Sequence, residues 1–389
     1  MCPTSYTIAL LLTFISHGQL RAQKSYASNL AKRIVNEAAN VRKGERVVIF
    51  GGAYSHPIAT EISKACADAD ALPVIIMTND SLESLRLTDT LGFGNIYANK
   101  IAKGMEKARV LIVLTPIVND PSLFSNNFKT FQYNRTKEYE KTIRRLAQHQ
   151  GVRVVYVNLA TKPIADLLLI KMEDYESMLQ KANLVDSELM NANINRLSGL
   201  LKNASKVRIT NPIGTDISFL ITNRRAIIDD GKITGLEAQI LDAFNRVVTL
   251  PAGILRISVI EGSGMGRVAI TESECNYKAM QQINFKINRG KIEQWNATSG
   301  GTCFHKLLQL NPSNWQVGSL GFSFNWEIKT INEDGLRFWR EDGGPLIWIT
   351  LGGNEDLGGQ ISNDVRQFSF PIEKPTIEID GKIVIKANQ

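Results

Sequence analysis

Four short apolar runs, separated by segments of helical pattern, constrain the first half of the chain more than any motif does. They are RVVIFG at 46–51, LPVIIM at 72–77, RVLIVLT at 109–115 and VRVVYV at 152–157. Each is rich in β-branched residues and apolar at successive rather than alternate positions, as expected of strands covered on both faces. Between them the spacing predicts helices over 56–71, ending near 108, and over 136–148. Strands alternating with helices close as a parallel sheet in an α/β domain. Gly51-Gly52-Ala53 reads as a tight strand-to-helix turn, since no G-x-G-x-x-G or phosphate-loop pattern accompanies it.

A long helical stretch over 174–201, broken near Val185, follows. From Lys206 the texture changes. VRITNP, TDISFLIT, RISVIEG, RVAITES, INFKINRGKIEQWN and TIEIDGKIVI alternate apolar and polar residues between Gly, Asn and Asp turns. That period of two belongs to strands with one face on a core, mostly antiparallel. Few helices are expected, with 273–282 and 303–310 the best candidates, and Asp380-Gly381 has the chemistry of a type I′ hairpin turn. The expected organisation is a leader over 1–22, an α/β domain with its connecting helix over 23–203, and a β-rich domain over 204–389.

The leader carries an apolar run, IALLLTFI at 8–15, followed by polar residues and then Leu20-Arg21-Ala22. It is too short to cross a bilayer and has the shape of a signal peptide cleaved after Ala22, so an exported protein, periplasmic or extracellular, is expected. No later run is long enough for a membrane span. The net charge is +7, with basic residues scattered and only Lys137, Lys141, Arg144 and Arg145 grouped, which argues against a nucleic-acid partner. Cys66, Cys275 and Cys303 are odd in number once Cys2 leaves with the leader. They read as small buried hydrophobes, with at most one disulfide.

Several pieces, in order, carry a resemblance. They are ASNLAKRIVNEAANVRKGERVVIFGG, the DYESMLQKAN to TDISFLI stretch, LPAGIL, EGSGMGRVAI, FKINRGKIEQWNA, VGSLGFSFN and IWITLGGNEDLGGQISNDVRQF. The chain resembles the thermophilic metalloaminopeptidase family (aminopeptidase T, leucyl aminopeptidase type). The resemblance implies that fold, an active-site cleft, a homodimer, and paired divalent metals such as zinc, cobalt or manganese. Position by position, the family's metal-bridging Glu falls on Ile254 and its second Glu on Ser319. Its His falls on Trp348, the following Tyr on Glu355, and the final His and Asp on Arg366 and Phe368. Some relatives of this fold instead hold iron(II) through two His and one Asp, and no His follows His305 here.

Ile254, Ser319, Trp348, Arg366 and Phe368 supply no anionic, oriented donor set for a metal pair. No cofactor is therefore expected, and the chain reads as a catalytically silent relative. It would bind a peptide, amino acid or other small carboxylate-bearing ligand in the former cleft, through Arg366, Trp348 and Glu261. The alternatives are an active metalloaminopeptidase with rearranged ligands and a structural role as a homodimer. Asn354, Glu355, Asp356 and Asp364 lack the spacing of a calcium loop, and Cys303 with His305 lacks an orienting acid for a thiol nucleophile. The glycines at 262, 264 and 266 read as a turn.

Overall fold

The computed structural model describes residues 25–88, 92–120, 138–167, 170–240, 243–275, 278–328, 346–362, 365 and 367–386. The leader 1–22, Asp364 and Arg366 lie outside the described residues. Contacts divide the chain into two compact units, one of 1–119, 139–159 and 231–250, the other of 120–138, 160–230 and 251–389.

The first unit is built on β1 (Arg46–Gly52), β2 (Leu72–Thr78), β3 (Val110–Thr115), β4 (Arg153–Asn158) and β8 (Val247–Leu250). They form one sheet in the order β2-β1-β3-β4-β8, parallel at every pairing. The four apolar runs are thus its first four strands, and Val110 to Leu114 are fully buried, as a doubly covered strand requires. Gly51 turns the chain toward the helix His56–Asp68 through a short 3-10 turn. A Cβ there would meet Leu114 Cβ at 2.9 Å, so glycine is needed.

A buried polar cluster crosses this unit. Glu83 accepts from Thr78 Oγ1 at 2.7 Å, Tyr139 Oη at 2.9 Å and Arg86 Nε at 2.8 Å. The Arg86 guanidinium lies 4.6 Å from the Tyr139 ring centre. Every formal charge here has a partner, which is what lets Glu83 and Arg86 be buried at all.

In the second unit the helices Met172–Asn183 and Ser187–Leu201 are separated at the expected break. Asp186 caps the second by accepting from Glu188 N at 2.9 Å. One sheet comprises β5 (Lys206–Thr210), β6 (Asp216–Leu220), β10 (Met265–Cys275), β11 (Lys278–Asn288), β12 (Lys291–Asn296), β16 (Thr376–Ile379) and β17 (Lys382–Ile385). Its order is β12-β11-β10-β6-β5-β16-β17. The other holds β7 (Ala226–Asp229), β9 (Ile254–Ser258), β13 (Val317–Ser323), β14 (Leu346–Leu351) and β15 (Phe368–Ile372), ordered β15-β14-β13-β9-β7. Both sheets are antiparallel at every pairing. Asp380 (φ 47°) and Gly381 (φ 81°) are both left-handed, as a type I′ turn demands.

Aromatic rings fill the core of this unit. Phe285 of β11 meets Phe370 of β15 at 5.0 Å, and Phe304 of the helix Gly301–Leu310 meets Phe370 at 5.4 Å and Phe368 at 5.9 Å, all near edge-to-face.

Two expectations are corrected. Residues 273–282 are not a helix but the paired ends of β10 and β11, with Cys275 opposite Lys278 and Ser273 opposite Met280. Their Glu, Lys, Gln and Met content favours a helix locally, yet Cys275, Met280 and Ile283 are buried when the segment is extended and paired. The cysteines are not all reduced: Cys275 and Cys303 form a disulfide, leaving Cys66 free and buried. The bond joins the end of β10 to the helix Gly301–Leu310 across 28 residues.

Candidate functional site

Four of the positions carried over from the resemblance fall on four adjacent strands of the five-stranded sheet: Ile254 on β9, Ser319 on β13, Trp348 on β14 and Phe368 on β15. Directly paired residues in an antiparallel sheet share a face, and faces alternate along each strand. The register therefore sorts them. One transverse row on one face is Ser258, Ser319, Thr350 and Ser369; the next is Ile227, Arg256, Gly321, Trp348 and Pro371; the third is Asp229, Ile254, Ser323 and Leu346. Ile254, Ser319 and Trp348 converge on this face. Phe368 does not: it pairs with Leu351 on the opposite face and belongs to the aromatic core. Its side chain cannot line a site shared with Trp348.

The first row is a band of buried hydroxyls. Ser258 Oγ donates to Leu357 O at 2.9 Å, and Thr350 and Ser369 share a hydrogen bond of 2.9 Å. In the second row the Trp348 indole covers Gly321, where a Cβ would collide with its Cε2, Cζ2 and Nε1 atoms. Trp348 is only 2% exposed and packs with Leu346 and Ile254. The ring therefore fills the sheet face rather than presenting a free aromatic wall.

Glu261 is also accounted for. It accepts from Asn354 Nδ2 at 2.8 Å and Gln360 N at 2.7 Å, and pairs with Arg224 Nη2 at 2.5 Å. Burial raises its pKa, but the hydrogen bonds from Gln360 and Asn354 and the charge of Arg224 outweigh it and hold the carboxyl below its ordinary value. Asn354, wholly buried, also donates to Gly318 O at 2.9 Å and accepts from Ile361 N at 2.9 Å. Glu261 and Asn354 thus pin the loop after β14, and Glu355 stands exposed in that loop's 3-10 turn. Cys303, in its disulfide, is no nucleophile, and the 262–266 segment is a turn in which Ser263 Oγ bonds Ile260 O at 2.6 Å.

Arg256 went unnoticed in the sequence. It lies two residues beyond Ile254, so the period of two already put both side chains on one face. What the sequence did not show is that Arg256 is half-buried and that no ion pair or hydrogen bond joins it to a described residue. Ser323, opposite Ile254, is buried with its hydroxyl unpartnered among the described residues.

No protein-family model matches the chain, and no curated protein matches it in sequence. Solved structures do. The wild-type AmpT of Thermus thermophilus superposes with a TM-score of 0.71 at 13% identity, covering 93% of this chain and 98% of its own. The fold is that of aminopeptidase T. A 2,5-dihydroxypyridine dioxygenase from Pseudomonas putida is also similar, with a TM-score of 0.56 at 14% identity, covering 94% of this chain and 96% of its own.

A metal pair of the kind the resemblance implies needs bridging carboxylates with imidazoles completing the shell. The three rows offer hydroxyls, one indole, one guanidinium and, on the edge strand β7, the single carboxylate of Asp229. Among the described residues no group of three or more His, Cys, Asp or Glu is placed to hold a metal ion. The residues at these positions do not fit such a pair, and the space beside Ile254 and Leu346 is taken by Trp348.

Proposed function

We propose that this chain is a non-hydrolytic protein with the aminopeptidase T fold, exported, that binds a peptide, amino acid or other small carboxylate-bearing ligand. One observation carries it: the indole of Trp348 occupies the sheet face above Gly321, among Ile254 and Leu346, in the row where the resemblance puts an imidazole. An apolar filling of that kind stabilises the sheet but supplies no Lewis acid and no base. Export is supported by the leader pattern of 1–22 and by the Cys275–Cys303 disulfide, a bond that persists in oxidising compartments.

The test is metal analysis of the purified protein, followed by assay on aminoacyl-anilides with added Zn²⁺, Co²⁺ or Mn²⁺. The expected result is substoichiometric metal and no turnover above the metal-only blank. Stoichiometric metal with turnover abolished by a chelator would overturn the proposal in favour of a metalloaminopeptidase with rearranged ligands.

A further inference from the structure

We infer that Arg256 is the anion-recognition group of this protein, holding the carboxylate of a small aliphatic acid against the face formed by β7, β9 and β13. The inference deepens the binding reading above and rests on it.

A half-buried guanidinium with no carboxylate beside it is costly to maintain, because its loss of hydration is not offset by a partner. The other arginines described as deeply placed in this unit do not share that state. Arg224 is paired with Glu261 at 2.5 Å, and even the more open Arg208 is paired with Asp216 at 2.8 Å and Glu378 at 3.3 Å. Arg256 has Ile227 and Gly321 as its register neighbours, which carry neither charge nor acceptor side chain. Asp229 lies one row over on the same face, and no ion pair joins the two.

The surroundings define what such a site would take. Gly321, which pairs with Arg256, has no side chain, and the buried Trp348 indole lies over it, so no side chain from β13 stands beside Arg256 in that row. Ile227 pairs with Arg256 and Ile254 lies two residues along the same strand, so both share its face; both are partly exposed and offer apolar surface for an alkyl group. Opposite Ile254, Ser323 is 3% exposed and its hydroxyl is unpartnered among the described residues. A buried hydroxyl left so is expected to meet a ligand atom or water. A planar fork of donors beside apolar side chains and one spare hydroxyl matches a carboxylate on a short hydrocarbon chain. A phosphate, with a third charged oxygen facing Ile227 and Ile254, suits it less well.

The experiment is calorimetric titration of the full chain with 4-methylpentanoate and, separately, with its amide, for the wild type and the variants R256Q and R256K. The acid should bind the wild type at least tenfold more tightly than the amide, and R256Q should lose about tenfold or more, the scale of a charge-assisted pair. R256K, keeping charge without the fork, should recover part of the loss. Circular dichroism and thermal unfolding confirm that each variant is folded. Equal binding of acid and amide, absence of acid binding, or unchanged affinity in folded R256Q would each overturn the assignment. The anilide assay reads separately: turnover there would remove the non-hydrolytic reading, while an acid-selective loss in R256Q would still locate the carboxylate.

Discussion

Trp348 lies over Gly321, one strand away, so closely that no side chain fits beneath the indole. This contact decides what the polar face of the five-stranded sheet can do. It also makes the position among the most sensitive in the second unit. Gly321→Ala should destabilise by roughly 1–3 kcal/mol, the usual penalty for overpacking a filled core. Urea unfolding measures the loss, and the tryptophan emission should shift as the ring is displaced. An alanine variant as stable as the wild type would show that the ring moves aside freely.

Glu261 should make stability depend on pH in the acid range. Its folded-state pKa is depressed below the unfolded value of about 4.3, so its contribution is present above that value and is lost as pH falls through the folded pKa. Glu261→Gln keeps the shape and removes the titration. Urea midpoints measured from neutral to acid pH should therefore fall less steeply for the variant, and parallel curves would show that the carboxylate does not contribute in this way.

The Cys275–Cys303 bond should be visible as a disulfide-linked peptide pair in a non-reducing digest. Cys275→Ser with Cys303→Ser should cost about 2–5 kcal/mol, as for loss of other native disulfides. Cys66 should behave oppositely. Burial pushes its thiol up to about 12, so iodoacetamide at neutral pH should label it only after unfolding.

In the first unit, Glu83→Ala should be severe. It removes the Glu83 carboxylate that pairs with the buried Arg86 guanidinium, and loss of one partner of a buried pair costs about 3–5 kcal/mol. Replacing both Glu83 and Arg86 by apolar residues should cost less than the single change, which a double-mutant comparison by chemical denaturation would reveal.

Ser323→Ala tests a different consequence of burial. Because the hydroxyl lacks a partner among the described residues, its removal should leave stability unchanged or slightly raised. A marked loss on thermal unfolding would mean that the hydroxyl is bonded in solution.

Much of the scaffold was legible because local patterns and tertiary environment agree. RVVIFG and RVLIVLT are apolar at successive positions since β1 and β3 are interior strands. The break near Val185 was readable because Asp186 caps a helix. Where they disagree, the sequence misled. The segment around Cys275 has helical composition but pairs as a hairpin. VVTL at 247–250 is too short to announce that it returns to the first sheet as β8. The site was readable only in part. Matching by position brought Ile254, Ser319 and Trp348 to one face, and missed that Phe368 points to the other and that Arg256 shares the first.

The sequence by itself determined the two kinds of sheet, since periodicity is a property of neighbours along the chain. It also determined that Ile254, Ser319, Trp348, Arg366 and Phe368 stand where the resemblance marks metal-ligating carboxylates and imidazoles. Only the tertiary structure decided which side chains share a face, which charges are paired and which cysteines are joined. Those depend on register between strands far apart in sequence, and a shift of one residue reverses every side chain it carries.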